Sequence, residues 1–217
     1  LDSTERFEAL KGGEVDMLSR NTTWTLSRDT SVGMEFAPTT FYDGQGMLVR
    51  EAEALAELTD LEGKSICVET GTTTELTLTD QMRQAGVSFE PVVFQDADAA
   101  YAAYEEGRCD GMTSDKSQLI ARRSTLSNPD EHVLMDVTMS KEPLGPLTTN
   151  NDSAWFDTVK WVTYALIEAE ELGLTADNIE DTAGATEDPN ILRFVGAEGT
   201  LGSDMGLPNA FALPELA

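Results

Sequence analysis

The chain has 217 residues, enough for one large domain or two small ones with real cores. It carries 14 Lys plus Arg against 40 Asp plus Glu, a net charge of −26, which repels phosphate backbones and anionic membrane surfaces. Hydrophobic residues at 40% and charged residues at 25% place it among ordinary soluble globular chains.

In chain order, Ser3–Lys11 reads as a short helix, with Asp2 as N-cap, Glu5 three residues on, and Gly12–Gly13 as the stop. These opening residues look like the inside of a domain, so a piece of a longer protein is expected. "VDMLSRN" reads as a strand and so does "GQGMLVR". Between them lies "SRNTTWTLSRD", rich in hydroxyls and arginine.

Strand and helix patterns then alternate. "KSICVET" is a strand, and "TGTTTE" opens a helix with Thr72 and Glu75 in capping-box spacing that runs to Gly86. "FEPVVF" is a strand, "DADAAYAAYEE" a helix ended at Gly107, "CDGMTSD" a strand, "KSQLIARRS" a helix and "HVLMDV" a fourth strand. Such alternation means βαβ units and a parallel sheet, with ligands at the carboxyl ends of the strands. "PLGPLTTN" is extended. "DSAWFDTVKWVTYALIEAEELG" is the strongest helix, with an apolar stripe of Trp155, Phe156, Val159, Val162, Leu166, Ala169 and Leu172. The tail after Gly173 is expected to be mostly loop, with one short helix near "PNILRFVG". The simplest layout is an α/β lobe at 48–142 inserted into a second lobe made of 1–47 and 143–217, the two crossings acting as a hinge.

No apolar run approaches the roughly 20 residues of a membrane span. The single histidine, His132, reads as a surface residue rather than a catalyst. The two cysteines, Cys67 and Cys109, lack zinc-site spacing, and no metal or other cofactor is called for; they would pair in an exported chain and stay thiols in a cytosolic one.

Three places can carry binding chemistry. Arg28 can grip a carboxylate through two parallel hydrogen bonds, helped by Asn21, Thr22 and Thr23, or it can be a surface arginine beside an exposed turn. Thr72, Thr73 and Thr74 stand at a strand-to-helix turn, where N–H groups and the helix dipole favour an anion, or where Thr72 is an ordinary N-cap. Asp115, at the carboxyl end of a strand, can pair with an ammonium group or cap the helix that follows. Together they would trap a zwitterion.

The stretches "ERFEALKGGEVDMLSRNTTWTLSRD", "YDGQGMLV", "SICVETGTTTE", "AAYEEGRCDGMTSDKSQL", "SKEPLGP" and "WFDTVKWVTYALIEAEELG" resemble the amino-acid-binding proteins of ABC importers. These are the family-3 extracellular solute-binding proteins, and the general L-amino-acid-binding type is most similar. The resemblance implies a periplasmic-binding-protein-like fold, two α/β lobes with a cleft between them, here truncated at both ends with the first lobe incomplete. It also implies a periplasmic receptor without catalysis or cofactor. Its partners would be an L-amino acid and a membrane permease, with neither nucleic acid nor membrane insertion. Arg28, with Thr23, then resembles the group that binds the ligand α-carboxylate. Asn21 resembles the residue offering a main-chain carbonyl to the α-amine. Thr73, flanked by Thr72, resembles the second-lobe carboxylate contact, and Asp115 the aspartate that pairs with the amine. Open sheet edges in the truncated lobe would invite pairing with another copy. An enzyme of cyclohexadienyl-dehydratase type and a sensory ligand-binding module are the rival readings. Finally, a doubly wound sheet of order 2-1-3 makes the strands of Cys67 and Cys109 neighbours, so a structural disulfide is expected.

Overall fold

The hydrophobic alternation in "GMLVR" and "SICVE" decides the architecture. In a strand, successive side chains point to opposite faces. Met47, Val49, Ile66 and Val68 therefore enter one apolar cluster, while Leu48 and Cys67 enter another. A sheet that is apolar on both faces needs helices on both, and the computed structural model, which describes residues 1–213, has them.

The described chain divides into two units. The first comprises Leu1–Val15, Arg20–Trp24 and Phe41–Leu144. The second comprises Asp16–Ser19, Thr25–Thr40 and the chain from Gly145 onward. This grouping by contacts is drawn at other residues than the lobes read as 1–47 with 143–217 and 48–142, the former of which ends in residues 214–217, outside the described ones.

In the first unit the short helix α1 (Arg6–Lys11) follows a turn in which Asp2 Oδ1 accepts from the N–H groups of Thr4 and Glu5. Next come β2 (Phe41–Asp43) and β3 (Gln45–Arg50). The alternating block follows: β4 (Ser65–Glu69), α3 (Thr73–Ala85), β5 (Glu90–Phe94), α4 (Ala97–Glu105), β6 (Gly111–Asp115), α5 (Lys116–Arg123) and β7 (His132–Leu134). The five-stranded sheet runs β5-β4-β6-β3-β7. Its β4 pairs in parallel with β5 and β6, which is the expected 2-1-3 core. The sheet is mixed rather than parallel, however, because β3 is antiparallel to both β6 and β7. Strand β3 precedes the alternating block and alone runs against it; β7, reached from β6 through α5, keeps the direction of β6 on the far side of β3.

Leu78 and Met82 of α3 pack on the face with Met47, Val49, Ile66 and Val68, whereas Ala100, Tyr101 and Tyr104 of α4 and Leu119 of α5 pack on the face with Leu48 and Met112. Helix α3 starts where expected, with Thr72 Oγ1 accepting from Glu75 N–H at 3.1 Å, and it stops at Gly86 in the left-handed conformation. His132 is buried, not on the surface as expected. Its Nδ1 lies 2.8 Å from the Tyr104 hydroxyl, and burial, reinforced by Arg50, holds it below the usual histidine range.

The first unit also has a two-stranded ladder that pairs β2 with β8 (Glu142–Leu144), antiparallel, and Thr23 bridges to Leu144 on the other edge of β8. In the second unit, α2 (Leu26–Thr30) precedes β1 (Met34–Phe36), which pairs antiparallel with β9 (Leu147–Thr149). "VDMLSRN" does not form the expected strand; Leu18 alone makes a bridge, to Leu147. Helix α6 (Ser153–Glu171) is present, but its buried positions are Val159, Thr163 and Ala169, while Leu166 is exposed. The Thr163 hydroxyl bonds the Val159 carbonyl one turn back, and this lets a polar residue lie on the inner face. The tail holds three short helices rather than one: α7 (Ile179–Ala185), α8 (Pro189–Phe194) and α9 (Leu201–Asp204). Ile179 and Val195 join Ala169 and Leu174 in one small core, which gives these polar-looking segments something to fold against.

Cys67 and Cys109 form the expected disulfide, with Cα atoms 5.7 Å apart and a sequence separation of 42. It lies within the cluster that includes Ala103 and Tyr104, at the end of β6 opposite Asp115. A loop of this length stabilises by ~4 kcal/mol in the chain-entropy model. Non-reduced, denatured protein is therefore expected to resist alkylation, and Cys67→Ser is expected to lower unfolding stability by about that amount in a denaturant titration. Two alkylated thiols without reductant would contradict the bridge.

Candidate functional site

Strands β4 and β6 are parallel, so their carboxyl ends lie side by side, and β3, being antiparallel, brings its amino end to the same edge. That edge collects Gln45, the turn Thr70–Thr72 leading into α3, and Asp115. The segment Arg20–Trp24 and the β2–β8 ladder add Asn21, Thr23, Asp43 and Glu142.

Two carboxylates are buried there. Asp115 is 6% exposed and Glu142 2%. Asn21 Nδ2 donates to Asp115 Oδ2 at 3.1 Å. Glu142 is more heavily engaged. The hydroxyls of Thr23 and Thr73 both donate to its Oε2, Thr73 at 3.1 Å, and Ser140 Oγ donates to Oε1 at 2.7 Å. The two threonine oxygens are 3.4 Å apart. Thr73 is the first residue of α3, so Glu142 also sits by a helix N-terminus, where the dipole favours negative charge.

Asp115 occupies the N-cap position of α5 but makes no capping bond with its side chain. Asp43 does that work: its carboxylate accepts from the Ser117 N–H at 3.3 Å and from the Ser117 hydroxyl. The alternative reading of Asp115 as a simple cap therefore does not apply. Its carboxyl is pushed up to about 7, first by burial and then by the charge of Glu142, with Asp43 adding to the rise; the Asn21 bond and Arg6 oppose it. Arg6, itself buried, donates to the Asn21 carbonyl at 3.2 Å and to the Thr22 hydroxyl at 3.0 Å. The Asn21 carbonyl expected to meet a ligand amine is thus already bonded to Arg6, although a carbonyl oxygen has a second lone pair.

Of the residues singled out in the sequence, the structure joins Asn21 to Asp115 and Thr23 to Thr73. Thr72 caps α3 through its side chain. Arg28 belongs to the second unit, in α2, where its side chain is 7% exposed and its N–H meets the Thr25 hydroxyl at 3.3 Å. Sequence reasoning missed Glu142, Asp43 and Arg6. "SKEPLGP" was legible as a motif, but nothing in its spacing marks the glutamate as buried.

No protein-family model matches the chain. The general L-amino acid-binding periplasmic protein AapJ of Rhizobium johnstonii is 47% identical over 213 residues, which cover 97% of this chain and 62% of that protein. The glutamate/glutamine/aspartate/asparagine-binding protein BztA of Rhodobacter capsulatus is 42% identical over 212 residues, covering 98% of this chain and 63% of BztA. A periplasmic binding protein of an ABC transporter from Brucella ovis, solved with glutathione bound, superposes with a TM-score of 0.93 at 44% identity, covering 98% of this chain and 67% of that one. This chain belongs to the periplasmic binding proteins of ABC transporters. It spans 62 to 63% of the length of these two curated family members. An ancestral arginine-binding protein with bound arginine shares the α/β fold at a TM-score of 0.67 and 25% identity. Among the described residues, no helix is long and apolar enough to cross a membrane.

The displaced titration of Asp115 has a consequence for this binding protein in the absence of ligand. The unfolded residue ionises near 3.8 and the folded one near 7, so the native state binds the extra proton between those values. The group's contribution to stability is therefore complete below about pH 4 and is lost as pH rises through 7. Three units correspond to ~4 kcal/mol. Asp115→Asn is expected to raise stability by up to that amount at pH 8 and to change it little at pH 4, as read by denaturant unfolding at the two pH values. Equal effects at both would contradict the assignment.

Proposed function

We propose that this chain is the extracytoplasmic, periplasmic receptor of an amino-acid ABC importer. It holds the α-carboxylate and α-amino groups of an L-amino acid in a cleft between two lobes, 1–47 with 143–217 and 48–142, and passes the ligand to a membrane permease without catalysis. The observation that carries the reading is Asp115: a buried carboxylate at the carboxyl edge of the sheet, relieved of capping duty by Asp43 and held by one amide. An ammonium group supplies a direct counter-charge to a carboxylate that Arg6 only partly offsets. Arg28 is assigned the ligand carboxylate with Thr23, Thr72 and Thr73 assisting, and Asn21 lies beside the amine. Family membership supports the ligand class, since AapJ is described as a general L-amino-acid binder and BztA as a binder of glutamate, glutamine, aspartate and asparagine.

A second ligand fits the same chemistry. The Brucella ovis structure holds glutathione, whose γ-glutamyl end carries a free α-amine and α-carboxylate. A γ-glutamyl peptide would present the same two groups to Asp115 and Arg28 as a free amino acid does.

Calorimetry with glutamate, glutamine, alanine and glutathione tests the reading. Arg28→Ala is expected to weaken every ligand that carries an α-carboxylate by ~2–5 kcal/mol. Asp115→Asn is expected to weaken amino acids far more than their deaminated analogues. Unchanged affinities in Arg28→Ala would remove Arg28 from the site, and equal losses for both ligand classes in Asp115→Asn would remove Asp115 from amine binding.

A further inference from the structure

We propose that Glu142 is the positioning residue of this site: it holds the Thr23 and Thr73 hydroxyls in place and couples uptake of an ammonium group to release of a proton. The ligand half of this inference rests on the amino-acid reading above.

The geometry gives Glu142 both tasks. One carboxylate oxygen receives two threonine hydroxyls from different parts of the chain, Thr23 in the segment bridged to β8 and Thr73 at the start of α3. A hydroxyl that donates its only proton to Glu142 presents lone pairs elsewhere. The Thr23 and Thr73 hydroxyls are thereby fixed as acceptors toward a ligand, so the help these residues give a ligand carboxylate comes from backbone N–H groups, as at the amino end of α3, and not from their side chains. The side chain is inside the protein, its three donors are hydroxyls rather than cations, and its charge is the second cause, after burial, that pushes the Asp115 carboxyl up.

The groups facing Asp115 can be named element by element. Glu142 comes from β8 and Asp43 from β2, both acidic; Arg6 comes from α1 and is the opposing cation. Asn21 and Ser117 are neutral, and so is the Tyr101 phenol of α4, whose proton is held more tightly first because of burial, with Asp115 adding to it. Lys116, next in the chain, turns its ammonium to the Thr138 hydroxyl at 2.5 Å. Three carboxylates against one arginine favour keeping a proton on the site while it is empty, and Asp115, the one that burial and its neighbours push up, is its holder. When the ammonium arrives it takes the place of that proton, which leaves Asp115 for solvent. Below about pH 7 affinity is therefore expected to fall up to tenfold per pH unit, and above it to level off.

Two measurements test this together. Carboxyl carbon NMR follows Asp115 in the ligand-free protein, and calorimetry with L-glutamine at pH 6 in buffers of different ionisation enthalpy counts protons released. Wild type is expected to release close to one proton per ligand. In Glu142→Gln the Asp115 titration is expected to move down by about one pH unit, with proton release at pH 6 falling in step, while Glu142→Asp restores most of both. Thermal melting checks that each variant folds. An Asp115 titration that stays put in Glu142→Gln overturns the role of Glu142 whether or not ligand binds. Binding without proton release overturns the coupling. If wild type binds none of the tested amino acids at pH 8, the ligand reading itself fails, and the NMR titration still decides for or against Glu142 as the group that sets Asp115.

Discussion

Two carboxylates buried at one edge of one sheet are costly to keep charged together, and the site is arranged around that cost. Transfer from water disfavours each charge, and proximity disfavours the pair. The protein treats the two differently. Glu142 is surrounded by the hydroxyls of Thr23, Thr73 and Ser140 and stands by the amino end of α3. Asp115 receives a single amide, from Asn21, and its carboxyl is displaced upward. One carboxylate is ringed by hydroxyl donors, and the other has a single amide and a titration displaced by burial.

That asymmetry follows from the sheet. Leu48 and Cys67 on one face and Met47, Val49, Ile66 and Val68 on the other bind helices to both sides and fix the edge at which β4 and β6 end. The Cys67–Cys109 bridge ties β4 to the residues that lead into β6, away from Asp115. Because β3 runs against β6, Gln45 lies opposite Asp115 in register, and Gln45 Nε2 donates to the Thr74 carbonyl and the Thr113 hydroxyl. The same strand thus links the first turn of α3 to β6.

Much of this was legible in the sequence because local chemistry dictates it. Thr72 and Gly86 bound α3, Gly107 closes α4, and the alternation of strands and helices fixes the 2-1-3 core and with it the neighbouring cysteines. What was not legible depends on contacts distant in sequence. The antiparallel direction of β3 is set by pairing, not by pattern. Asp115 and Asn21 could be singled out separately, but nothing in either stretch shows that 94 residues of separation close to 3.1 Å. Glu142 looks like any surface glutamate before a proline until Thr23 and Thr73 are seen to converge on it. Asp43, in turn, is what frees Asp115 from capping, and that exchange between two aspartates has no signature in spacing. The helical tail after Gly173 was hidden by its polar composition, since few of its apolar residues are needed for the small core around Ile179 and Val195.

The account stands or falls on what Asp115 meets when the site is filled. A crystal structure of the protein with bound L-glutamine measures this directly. The account predicts the ligand ammonium within hydrogen-bond distance of the Asp115 carboxylate, with Glu142 still accepting from Thr23 and Thr73. A ligand whose ammonium lies elsewhere, with Asp115 unchanged on Asn21, would contradict it.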